Sequence, residues 1–189
     1  MPTICSYDPR WPLEFSAIAH GLRTGLGGLA LRIDHIGSTA VPGLCAKDVI
    51  DVQLSVASLG DTSLPPQISA LGFERYPGVR ADHCPPCHPG SEADWCKLFF
   101  LQPAGKRRIN LHVREAGRTN QRYALLFRDY LRAHPPTAAA YGQLKQRLAA
   151  GLANGKDYPD VKDPAVDLIY FAAQAWAQAM GWTLPPSDA

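Results

Sequence analysis

The chain has 189 residues, a length that suits one domain with a sizeable core. Nineteen Lys and Arg stand against 17 Asp and Glu, a net charge of +2, so no global field recruits nucleic acid or a membrane surface, and any grip on an anion must come from a local cluster. No apolar run is long enough to cross a bilayer, and the first twenty residues lack an apolar stretch after a basic start. The expectation is a cytoplasmic protein, in which the five cysteines are free thiols or metal ligands rather than disulfides.

In chain order, residues 11–25 read as a helix, with Pro12 in its first turn and Leu13, Ile18, Leu22 and Leu26 mostly on one face. A strand over 29–36 ends in a Gly37-Ser38 turn, and a loop punctuated by Pro and Gly leads to a second strand over 48–56. In that strand Val49, Asp51, Gln53 and Ser55 share one face, while Ile50, Val52, Leu54 and Val56 share the other. Pro65-Pro66 opens a short helix that Gly72 ends, and a third strand follows over 73–76. Residues 77–94 have no apolar period and read as loop.

Strands over 95–101 and 108–114 pair around the turn at 103–106. Asn110 and His112 alternate away from the apolar face, toward the side of Asp51. Thr119 caps a helix reaching His134, Pro135-Pro136 breaks it, and a second helix runs over 137–152. Asp163-Pro164 reads as the cap and first turn of a closing helix that Gly181 stops. The reading is one domain over 1–183 and a frayed tail over 184–189.

Three groups of residues could carry chemistry. A carboxylate on a strand just after a Gly-Ser turn lies near groups that grip phosphate, and a metal on it could bridge to the phosphates; the same pattern also describes a polar residue on a solvated strand face. Next, Arg128 and Arg132 share a helix face at i and i+4, and Tyr141 with Lys145 repeats the spacing. Guanidinium forks and ammonium groups suit phosphate, and tyrosine bonds phosphate or stacks on a base; a solvated face paired by Asp129 is the plainer alternative. Last, Cys84 and Cys87 form a Cys-x-x-Cys pair, and with Cys96 and either His83 or His88 they are candidate ligands of a structural zinc. Reduced thiols, a Cys84–Cys87 redox pair, or a Cys96 turned into the core are the alternatives.

The run His35-Ile36-Gly37-Ser38-Thr39-Ala40-Val41-Pro42-Gly43-Leu44, with Ala46-Lys47 and Ile50-Asp51-Val52, resembles the signature of the GrpB family. Trp11-Pro12, Leu111-His112-Val113, residues 127–135, Tyr141, Leu144-Lys145, Tyr158 and Lys162 agree with it. The resemblance implies a nucleotidyltransferase-like (polymerase-β-type) α/β fold of α+β kind: a mixed, mainly antiparallel sheet flanked by helices, with a helical last third. It also implies a site that binds a nucleotide or another phosphorylated small molecule. Gly37, Ser38 and Thr39 would hold phosphates. Asp51 and His112 would be the catalytic pair and the ligands of a divalent ion, Mg²⁺ or Mn²⁺. Lys47, Arg128, Arg132, Tyr141, Lys145, Tyr158 and Lys162 would line the substrate side.

One departure weighs against transfer chemistry. Two divalent ions need several carboxylates, yet Gln53 stands where the alternating acid should be, and no acid lies within 108–114. The rival reading is therefore a non-catalytic anion-binding or partner module that kept the fold and lost the ions. His35, alone on its strand, reads as a core histidine.

Overall fold

The structure is a computed structural model that describes residues 3–86, 88 and 90–189. Its five strands are β1 (Arg32–Ile36), β2 (Ile50–Val56), β3 (Glu74–Arg75), β4 (Leu98–Leu101) and β5 (Ile109–Glu115). They form one sheet in the order β1-β2-β5-β4-β3. Only β2 and β5 run parallel; the other three pairings are antiparallel. The helices are α1 (Trp11–Leu26), α2 (Leu64–Ala70), α3 (Thr119–Ala133), α4 (Pro135–Gly151) and α5 (Tyr158–Met180). This is the expected mixed, mainly antiparallel α/β architecture with a helical last third.

The strand alternation explains the layering. Ile50, Val52, Leu54 and Val56 join Ile109, Leu111, Val113 and Phe100 on one face, buried against Trp11, Phe15, Ala19 and Leu22 of α1 and Leu64 and Ile68 of α2. Helices α3, α4 and α5 build a second core of their own around Leu126, Tyr130, Leu131, Tyr141 and Tyr170, into which Val41 and Leu44 of the loop after β1 insert.

The polar face of the sheet is not solvated. Gln53 and Ser55 are fully buried beneath α3. Gln53 donates to the Gln121 carbonyl and accepts from Arg114 at 2.5 Å, and Gln121 donates to Ser55 Oγ. Burying such groups is tolerated because each is hydrogen-bonded.

Several elements begin or end elsewhere than the pattern predicts. Residue 95, read as the start of a strand, instead closes a 3-10 turn over 92–95, and β4 starts at Leu98. Helix α5 starts at Tyr158, with Pro159 in its first turn and Pro164 inside it. An interior proline costs roughly 3 kcal/mol. Burial of Tyr158, Asp167, Tyr170, Ala173 and Ala177 along the helix offsets that cost, and the earlier start carries Tyr158 and Lys162 onto the helix. The tail does not fray at its end: Ala189 N–H and Ser187 Oγ donate to the Ile33 carbonyl, and Asp188 accepts from His35 N–H and from Arg128. Strand β1 is an open sheet edge, and these residues pair with its free polar groups.

Candidate functional site

Where β1 ends and β2 and β5 begin, the chain makes the turn at Gly37. Its φ is +71°, in the left-handed region that favours glycine, and a side-chain carbon there would overlap the Asp51 carboxylate. The turn therefore needs glycine twice, for its backbone and for room beside Asp51. His35 fixes the approach: its ring stacks on Phe15 at 4.7 Å and its Nε2 lies 3.0 Å from Thr39 Oγ1. Burial pushes its pKa down to about 4, so it is a neutral core histidine.

Asp51 and His112 do meet. His112 Nε2 lies 3.7 Å from Asp51 Oδ1, which also accepts from Asn110 Nδ2 at 2.7 Å. The Asp51 side chain is about a quarter exposed and opens onto the cleft described below. Burial pushes its carboxyl up, but the His112 imidazole and the Asn110 amide more than offset this, and the net direction is down.

The other ring nitrogen, His112 Nδ1, lies 3.2 Å from Lys97 Nζ. An ammonium only donates, so Nδ1 accepts and the ring proton sits on Nε2, facing Asp51. Burial takes His112 down to about 4. Lys97 also pairs with Asp82 at 2.7 Å; Arg114 holds the same carboxylate through two bonds of 2.8 Å, and Asn120 donates to it at 3.0 Å. Asp82, buried among these cations, is held well below the usual carboxylate range.

This arrangement does not fit the single divalent ion that Asp51 and His112 were expected to hold. One imidazole nitrogen carries a proton and the other accepts from an ammonium, so neither offers a lone pair beside Asp51. Gln53, where a second carboxylate would stand, is a buried structural amide. Of the four residues in the zinc set, three lie among the described residues. Cys84 and Cys96 are exposed and turn to the carbonyls of Pro85 and Glu92, so Cys96 is not a core residue. The His88 ring packs against Trp95 and Tyr170, and Cys87 lies outside the described residues. Among the described residues, no three His, Cys, Asp or Glu side chains are grouped to hold a metal.

What the fold does assemble is a cationic cleft of about 300 Å³. Ser38, Thr39, Lys47, Asp51, Tyr141, Lys145, Tyr158 and Lys162 line it, together with Arg108 and Asn110. Gly37 and His112 touch Asp51 without lining the cleft. Gly142 lets α4 pass close to the loop after β1; a side-chain carbon there would come within 3.1 Å of Cys45 Sγ. Three residues further along, Lys145 is 3 % exposed and donates to Ser38 Oγ at 2.8 Å and to the Cys45 carbonyl at 2.6 Å. Burial pushes its pKa down to about 8. Among the described residues, no carboxylate lies within ion-pair distance of Lys145, Lys47, Lys162 or Arg108. Lys47 sits over the Tyr158 ring at 4.3 Å, and Lys145 over the Tyr141 ring at 4.8 Å.

Arg128 and Arg132 are placed elsewhere. Arg128 is 2 % exposed, paired with Asp129 and Asp188 and donating to the His35 carbonyl. Arg132 donates to the Ala40 carbonyl and lines a different, mainly apolar cavity of about 630 Å³. Their face of α3 turns toward β1 and the tail, away from the cleft. Two contributors were missed: Arg108, whose alternation with Asn110 already put it on the Asp51 face, and Asp82, which no local pattern marks.

These features define a mixed α/β domain with a cation-lined cleft at one end of its sheet. A profile of the GrpB protein family matches residues 1–171, and the chain belongs to that family. It is 36 % identical over 176 residues to a UPF0157 protein of Halalkalibacterium halodurans, covering 92 % of this chain and 83 % of that one. It is 38 % identical over 191 residues to a Mycolicibacterium paratuberculosis protein named dephospho-CoA kinase, covering 93 % of this chain but 46 % of that one; the chain spans about half the length of such mycobacterial relatives. The crystal structure of the conserved protein GrpB from Enterococcus faecalis is similar to it, with a TM-score of 0.75 and 27 % identity over 92 % of this chain and 99 % of that one. Among the described residues, no helix is long and apolar enough to cross a membrane.

Proposed function

We propose that the cleft binds the phosphate groups of a nucleotide or another phosphorylated small molecule, and that the protein acts as a binding module rather than as a two-metal transferase. The observation that carries this is Lys145: an ammonium 3 % exposed, donating to Ser38 of the Gly-Ser turn, with no carboxylate beside it among the described residues. A buried charge is costly unless something compensates it; Asp51, in the same cleft, offsets Lys145 only in part, and a bound anion would supply the rest. Ser38 adds a hydroxyl, while Lys47, Lys162 and Arg108 add positive charge around the same space.

The donor set argues against metal-dependent transfer, because among the described residues Asp51 is the only carboxylate lining the cleft. The dephospho-CoA kinase name belongs to longer chains, and the Gly-rich loop ending in Gly-Lys-Ser/Thr with which P-loop kinases hold phosphates is absent from this sequence. The test is calorimetric titration of ATP, without added metal, into the wild type and Lys145→Met. Binding to the wild type, weakened about tenfold or more in the variant, is the expected result. Equal affinity in the two proteins, or no binding of any phosphorylated compound, would remove the reading.

A further inference from the structure

We propose that the cleft is shaped for a bare polyphosphate chain of at least two phosphoryl groups, free of divalent cation, and that it reads neither base nor sugar. This rests on the reading above and narrows it to a ligand class.

Charge sets the length. Among the described residues, four cations (Lys47, Arg108, Lys145 and Lys162) surround one carboxylate, Asp51, leaving three positive charges in excess. A terminal phosphate brings about 1.5 to 2 negative charges at neutral pH and each further phosphoryl about one more, so one phosphate leaves the excess uncancelled and two or three match it. The cations already disfavour one another: after burial, Lys162 and Arg108 are what push Lys47 down, and Lys162 also pushes Lys145 down. A polyanion relieves every one of these repulsions together. A magnesium ion on the ligand would cancel two of its charges and bring a cation into a cleft that already has too many.

The aromatic residues set the indifference to the base. Among the described residues, Tyr141 and Tyr158 are the only aromatic rings lining the cleft, and both are at most 5 % exposed. Each has a lysine ammonium over its ring, and Tyr141 also meets Phe127 edge-on at 5.8 Å. The faces that would stack a base are taken. The apolar lining that remains, Ile4, Ala46 and Val49, offers little to a base, and about 300 Å³ is at the small end for a ligand pocket.

The experiment is a calorimetric panel in EDTA: orthophosphate, pyrophosphate, tripolyphosphate, ATP, GTP and CTP, repeated with excess Mg²⁺. Pyrophosphate and tripolyphosphate should bind at least about tenfold tighter than orthophosphate, the three nucleotides within about threefold of tripolyphosphate, and Mg²⁺ should weaken all of them. Asp51→Asn should tighten tripolyphosphate, since it removes the only opposing charge, and the exposed Arg108→Gln should weaken it without changing the melting temperature. The inference is overturned by one nucleotide binding more than about tenfold tighter than tripolyphosphate, by orthophosphate binding as well as the longer chains, by binding that requires Mg²⁺, or by Asp51→Asn weakening the complex. A panel in which nothing binds overturns the phosphate reading itself, which separates the two failures.

Discussion

Replacing Lys145 by methionine tests whether a charge is held uncompensated in the cleft. Burial takes this ammonium from an ordinary 10.5 to about 8. At about 1.4 kcal/mol per unit, the folded protein carries a burden of roughly 3 kcal/mol at neutral pH. Because the folded-state pKa lies below the unfolded one, the unfolded chain binds more protons between about pH 8 and 10.5, and stability rises with pH through that window. By pH 9.5 the relief amounts to roughly 2 kcal/mol. The measurement is urea unfolding of the wild type and Lys145→Met at pH 7 and pH 9.5. At pH 9.5 an unfolded-state tyrosine, with a pKa near 10, is about a quarter ionised; burial raises Tyr141 and Tyr158 in both proteins alike, so the tyrosine contribution cancels between them. The wild type should gain about 2 kcal/mol on the variant between the two conditions. A difference that does not change with pH would show that Lys145 is compensated by something other than solvent, and the argument for an anion would fall.

Gly37→Ala should cost at least about 1 kcal/mol, from the left-handed backbone alone, and should displace Asp51; a melting curve unchanged from wild type would contradict that geometry. Asp82→Asn strips the shared counter-ion from Arg114 and Lys97, both buried, and should lose about 3–5 kcal/mol in denaturant unfolding, a loss below about 1 refuting the network's role. Nitrogen NMR should find His112 neutral with its proton on Nε2 down to about pH 4, and Lys97→Met should shift the tautomer; a charged ring at pH 5.5 would contradict it. Asp188→Ala removes the carboxylate bonded to Arg128 Nη1 and to the edge of β1, and should cost about 1–3 kcal/mol by the same unfolding assay.

Much of the site was legible because its parts obey short-range rules. The period of two along β2 put Asp51, Gln53 and Ser55 on one side, and the same period in β5 put Asn110 and His112 with them. Arg108 obeyed it too and was simply not taken up as a contributor. The helical row of Arg128 and Arg132 was legible as a row, but its direction was not, since spacing shows which residues share a face and not what that face meets. The Asp163-Pro164 pair looked like a helix start, yet tertiary burial of Tyr158 and its neighbours carries α5 six residues further back. Asp82 was invisible because it sits in a stretch without period, 32 residues from the Arg114 it holds.

By itself, the order of residues determined the strands and helices, the family and the inventory of lysines, because hydrophobic period, capping and turn chemistry act over a few positions. Only the folded chain decided that Gln53 is a sealed amide, that His112 points a proton rather than a lone pair at Asp51, and that four cations share one hollow. Those outcomes depend on side chains up to 107 positions apart, such as Ser38 and Lys145, coming within 3 Å. Electrostatic partnership at that distance in sequence leaves no trace in any local pattern.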